Sequence, residues 1–158
     1  MGLGGLARRE QRVYSSVMLS QRARYALRAL VHLASRTDTG PAPIGEIAEA
    51  AAAPRKFLEA ILLDLKRHHL LVSTRGRSGG YALALPADKI SFADIIRAVD
   101  GPLALAPCAS KTAYRPCETC PSVTDCPIRP ALVKGREALA KVLETWTLET
   151  ALANRAAY

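Results

Sequence analysis

The sequence predicts a mainly α fold: a winged helix-turn-helix with a small β-hairpin wing, followed by a long C-terminal dimerisation helix. Three observations predict it. Apolar residues return with the helical period in four successive segments before residue 100 and again near the end. A glycine-rich basic run, Gly76-Arg77-Ser78-Gly79-Gly80, lies between two short stretches that read as strands. The last thirty residues carry Leu132, Leu139, Leu143 and Trp146 close to a heptad seam, broadened by Val142.

Residues 1–17 show no periodicity and read as a flexible basic extension, with Met18 as an alternative start. Ser20 is placed to cap the first helix, which runs to about Ser35. Its apolar face is Leu27, Leu30, Val31 and Ala34, with Arg22, Arg24 and Arg28 mostly off it. Thr37 to Pro41 is a loop by composition. A short helix, Ile44 to Ala50, turns Ile44, Ile47 and Ala48 inward. After the small connection Ala51-Ala52-Ala53, Pro54 fits the first turn of a helix reaching about His69. Leu58, Ile61, Leu62 and Leu65 give this helix one buried stripe, so the pair reads as a helix-turn-helix.

A hairpin follows, Leu70–Arg75 and Tyr81–Leu85, with Tyr81, Leu83 and Leu85 on its half-buried side and Pro86 ending it. Ser91 caps the next helix, Asp94 completes a capping box, and Phe92, Ile95, Ile96 and Val99 face inward. Asp100-Gly101-Pro102 ends it. Residues 103–127 form a loop holding all four cysteines, and a final helix runs from about Pro127 to Ala153. The domain reading is thus 18–86 for the winged helix-turn-helix, 87–127 for a linking helix and cysteine loop, and 128–158 for the dimerisation helix and tail. A helix that long on a domain that small exposes an apolar face, which a second copy would cover.

Charge then separates the halves. The 158 residues carry a formal charge of +8; residues 1–85 hold 13 Lys/Arg against 6 Asp/Glu, and the rest hold 9 against 8. A positive excess confined to one half favours a polyanion. Between residues 55 and 77, Arg55, Lys56, Lys66, Arg67, Arg75 and Arg77 face only Glu59 and Asp64. These cations sit at both ends of the second helix of the pair and at the hairpin tip. That distribution suits a recognition helix in a major groove and a wing on the flanking backbone or minor groove of double-stranded DNA. Arg55, Lys56 and Glu59 are the candidates for reading bases; Arg24, Arg28, Arg67, Arg75, Arg77 and Ser78 are the candidates for holding the backbone. The alternative is a solvated charged face on a helical bundle. A membrane surface is disfavoured because the cations flank a turn and a wing, not one amphipathic face. No nucleophile elbow or P-loop occurs, and the wing glycines precede no phosphate-cradling helix, so enzymatic chemistry is not indicated.

Cys108, Cys117, Cys120 and Cys126 lie within 19 residues, with no signal peptide ahead of them, which points to metal or redox chemistry in a reducing cytoplasm. Cys117 and Cys120 can chelate one metal. Four thiolates suffice for an iron–sulfur cluster, 2Fe–2S or 4Fe–4S, and equally for tetrahedral zinc, which usually takes two close pairs. A thiol–disulfide switch is the third possibility.

Arg24-Tyr25-Ala26-Leu27-Arg28-Ala29-Leu30, Ile44 to Ala48, Pro54-Arg55-Lys56-Phe57-Leu58 and Gly76 to Leu83 resemble the Rrf-two family of bacterial winged-helix regulators. That family includes an iron–sulfur cluster regulator, a nitric-oxide-sensing repressor and a cysteine-metabolism repressor. The resemblance covers about residues 18–150. It implies a homodimer joined through the C-terminal helix, a palindromic operator, and a cluster whose oxidation, nitrosylation or loss changes DNA binding. Several members use three cysteines and a fourth ligand of another type, in one case a histidine three residues after the last cysteine. Arg129 stands there in this chain, and all four cysteines are the simplest replacement set.

Overall fold

The computed structural model describes residues 19–37, 40–118, 120 and 122–155, so the 1–17 extension and Met18 lie outside the described residues. The order is α1 (Gln21–Ser35), α2 (Ile44–Ala51), α3 (Arg55–Arg67), β1 (Leu71–Thr74), β2 (Gly80–Leu83), α4 (Phe92–Asp100), α5 (Arg129–Thr145) and α6 (Leu148–Ala153). This is the winged helix-turn-helix architecture expected. Among the described residues no helix is long and apolar enough to cross a membrane.

Ser20 caps α1 by accepting the Ala23 amide at 3.0 Å and donates its own hydroxyl to Asp100 at the end of α4. The inward face of α1 differs from the expected one. Ala23, Ala26, Ala29, Leu30 and Leu33 are buried, while Leu27, Val31 and Ala34 are half-buried at its edge. The reason is that α1 is packed against α2, α3, α4 and α6 together. A helix so surrounded buries a broad face, and its alanine rows let neighbours approach closely.

Helix α2 closes on Ala52, which adopts the left-handed conformation at φ 51°. Pro54 stands just ahead of α3 as its cap, not inside it, and its carbonyl accepts the Phe57 and Leu58 amides. The expected stripe Leu58, Ile61, Leu62 and Leu65 is fully buried. Helix α3 stops at Arg67, short of His69. His69 takes φ 59°, its amide reaches the Lys66 carbonyl, and the Leu70 amide reaches the Leu65 carbonyl. This is a Schellman closure with histidine where glycine is usual.

The hairpin pairs Leu71 with Leu83 and Thr74 with Gly80. It is shorter than expected: Leu85 lies beyond the ladder and is exposed, because the last ladder bond, the Ala84 amide to the Leu70 carbonyl, precedes it. Ala42 adds a one-residue third strand, exchanging both backbone hydrogen bonds with Tyr81 at 2.8 and 2.9 Å. Gly80 permits this approach, since a Cβ there would lie 2.1 Å from the Ala42 carbonyl oxygen.

Helix α4 carries the expected Ser91/Asp94 capping box. The expected continuous helix from Pro127 to Ala153 is two helices. The Phe92 amide bonds the Trp146 carbonyl (2.9 Å) and the Leu148 amide bonds the Ile90 carbonyl (3.0 Å), a β-bridge that opens the chain at Trp146–Thr147. Thr147 then caps α6, and Leu148 is fully buried in the core. Helix α5 buries no residue. Along it Ile128, Leu132, Gly135, Leu139, Val142 and Trp146 follow strict 4-3 spacing, with Ile128 64% and Val142 59% exposed.

Candidate nucleic-acid interface and thiol cluster

The second helix of the pair, α3, turns its buried stripe to the core and leaves Arg55, Lys56, Glu59 and Arg67 exposed. The Arg55 Nε lies 3.7 Å from the Glu59 carboxylate, a surface pair that shares the first turn. Arg67 bonds Asp64 at 3.0 Å, and the other oxygen of Asp64 is taken by Arg22 of α1. Arg24 is exposed on α1. Arg28 sends a guanidinium N–H to the Ala51 carbonyl at 3.4 Å, a cation at the C-terminal end of α2 where the helix dipole favours it. Lys66 donates to Ser73 Oγ at 2.7 Å, tying the end of α3 to β1. Arg75, Arg77 and Ser78 are exposed at the hairpin tip, and Gly76 makes the turn at φ 112°.

Two exposed apolar residues on α3 were not singled out from the sequence. Ala60 and Leu63 lie opposite the buried stripe, and Leu63 is 44% exposed. The signal was present, because residues 56, 60, 63 and 67 repeat at helical spacing around the face that Leu58–Leu65 leaves outward.

In the cysteine loop Cys108 is buried and Cys117, Cys120 and Cys126 are half-buried, none is in a disulfide, and the Cys120 Sγ donates to the Ser122 carbonyl at 3.2 Å. The hydrogen bond to Cys117, aided by burial, pushes the Cys108 thiol up. Burial, then the bond to Cys126, pushes Cys120 up. Cys126 goes the other way: the backbone amides of Ile128 and Arg129 at the start of α5, with Cys120 and the Arg129 charge, favour its thiolate.

Among the described residues no three Cys, His, Asp or Glu side chains converge on one metal position. The donor set of the loop is purely thiol, chemistry that suits an iron–sulfur cluster and a tetrahedral zinc alike. Arg129 is no ligand. Its Nε donates to the Cys108 carbonyl at 3.1 Å, fastening the first cysteine to the helix that follows the last one. Its place in the first turn of a helix after Pro127 was readable, but its partner 21 residues earlier was not.

Comparison with known proteins gives three findings. The family model described as "Rrf2: Iron-dependent Transcriptional regulator" matches residues 19–154. A putative HTH-type transcriptional regulator, rrf2-like, from Rhodobacter capsulatus is 40% identical over 139 residues, covering 86% of this chain and 93% of that protein. Among solved structures, CymR (YrzC), the global cysteine regulator of B. subtilis, superposes with a TM-score of 0.70 at 29% identity, over 87% of this chain and 97% of that one. IscR of T. potens gives 0.66 at 27% identity, over 88% of each chain.

Proposed function

From the premise that the chain belongs to the Rrf2 family of DNA-binding transcriptional regulators, we propose that it binds a palindromic operator as a homodimer and senses redox state, iron or nitric oxide through its cysteine loop. It is a regulator and not an enzyme, like its relatives. In this reading α3 enters the major groove and Arg55, Lys56 and Glu59 face base edges. Arg24, Arg67, Arg75, Arg77 and Ser78 hold the backbone, with Arg28 bracing α2 behind them. The 4-3 stripe of α5, exposed at Ile128, Leu139 and Val142, meets its copy in the partner, which sets the distance between the two α3 helices. The protein acts in the cytoplasm, where thiols stay reduced.

The observation that carries the sensing half of this reading is that four cysteines share one loop whose first cysteine is fastened by Arg129, at 3.1 Å from its Nε to the Cys108 carbonyl, to the first turn of α5. Cys108, Cys117, Cys120 and Cys126 would hold an iron–sulfur cluster, which when bound supplies reversible one-electron chemistry. The chain's own part is mechanical. The Ile128 and Arg129 amides hold Cys126, and Arg129 holds the Cys108 carbonyl, so ligand thiols and the first turn of α5 are ordered together. Loss of that order would alter the register of the two halves of the dimer and hence operator affinity.

Anaerobic purification with iron and acid-labile sulfide analysis, followed by operator titration of cluster-loaded and apo protein, tests this. Iron and acid-labile sulfide in equal amounts, visible absorption and a state-dependent affinity are expected. Equal affinity in both states refutes sensing through the cluster. A colourless zinc-loaded protein supports the structural-zinc alternative. Four free thiols within one loop also support a second reading, a disulfide switch, and the similar B. subtilis structure is that of a cysteine regulator. A reversible intrachain disulfide that alters operator affinity in iron-free protein would select it.

A further inference from the structure

We infer that Ala60 and Leu63 form an apolar reading surface on α3 that selects operators by the 5-methyl groups of thymine. The inference rests on the proposal that α3 lies in the major groove.

Lys56, Ala60, Leu63 and Arg67 follow i, i+4, i+7, i+11 and so form one line along the outer face of α3. At 1.5 Å per residue that line spans about 16 Å. Its ends are cationic and its middle is apolar. The flanks are occupied. On one side Phe57 packs edge-on against Tyr25 with ring centres 5.9 Å apart, and Asp64 holds Arg22 and Arg67. On the other, Glu59 pairs with Arg55. Among the described residues no other element covers the line: Leu63 is 44% exposed and Lys56, Ala60 and Arg67 are exposed with it.

The charge pattern names the occupant. A B-form major groove is about 12 Å wide between two phosphate rims, with base edges on its floor. With α3 inserted, this outermost line faces the floor: Ala60 and Leu63 rest on base edges beyond Lys56, and Arg67 at the far end reaches a phosphate rim. Of the four base pairs, only those containing thymine present hydrocarbon there, the C5-methyl group. A protein partner binding this face would place an apolar patch between two lysine- or arginine-tipped ends without that spacing being of use to it.

The test takes the operator that the full chain selects from random duplexes and replaces its thymines one at a time with deoxyuridine, which removes the methyl alone. Burial of one methyl is worth roughly fourfold in affinity. The wild-type protein should therefore lose about that factor per half-site at one or two thymines of the α3 footprint and nothing elsewhere. Leu63→Ala should bind thymine and uracil operators alike at those positions, and Leu63→Met should keep the discrimination. Thermal unfolding of both variants should match wild type, since the side chain is exposed. A selected operator with no uracil-sensitive thymine, or a Leu63→Ala protein that keeps full sensitivity, overturns this inference and leaves DNA recognition standing. A change in self-association with unchanged uracil response also overturns it and marks the face as a protein contact. A chain that selects no sequence overturns both readings.

Discussion

Cys126 and Arg129 act as one unit at the head of α5. Two amides of a nascent helix and a guanidinium stabilise negative charge on one sulfur, while Cys120 is pushed upward and its thiol donates to the Ser122 carbonyl. The sign follows directly. A thiol whose ionisation is lowered is thiolate at a pH where its neighbours are still protonated, so its reaction with iodoacetamide rises over a lower pH interval. In iron-free, reduced protein at pH 7, Cys126 should be alkylated first and Cys108, buried and pushed upward, last. Peptide mass spectrometry reads the order, and Cys108 labelling first would contradict it. Arg129→Ala should slow Cys126 only in part, because the backbone amides remain. The cysteines were legible as a cluster from spacing alone. That Arg129 fastens the Cys108 carbonyl was not, because that contact joins residues 21 positions apart across a loop with no period.

At the scale of elements, the wing shows both what periodicity reveals and where it fails. A glycine-rich run between alternating strands announced the hairpin. The single-residue strand at Ala42 left no trace, since one residue has no period and its partner Tyr81 is 39 positions away. Gly80→Ala would force a Cβ onto the Ala42 carbonyl and break both Ala42–Tyr81 hydrogen bonds. A loss of about 2–3 kcal/mol is expected in urea unfolding, from two bonds and the local displacement. The same blindness explains the break between α5 and α6. Leu143 and Trp146 continue the apolar spacing, so the sequence reads as one helix. The interruption is imposed by Ile90 and Phe92, whose backbone groups bond Leu148 and Trp146 across more than fifty residues.

For the whole molecule the decisive fact is that α5 has an apolar stripe and no buried residue, whereas the helices around α1 share one core. Val142→Asp should convert a dimer to a monomer in sedimentation without unfolding the core, because Val142 is 59% exposed. Operator affinity should fall roughly a hundredfold or more as the second half-site ceases to be tethered. Substitution at the wing tip should behave differently. Arg77→Ala should weaken binding to all sequences alike and reduce the slope of log affinity against log salt by about one per half-site. The β-bridge at Ser91–Thr147 carries one more consequence. The chain leaves its core at Gly101, at one end of α4, and re-enters at Thr147, beside the other end. Those two points are separated by a nine-residue helix, about 13 Å. The segment between them touches that core at Leu103 and Leu143 and is tied to α4 by the Arg97–Glu144 ion pair. Its length is therefore not set by the distance it must bridge: about forty-five residues join two points that a few extended residues could connect.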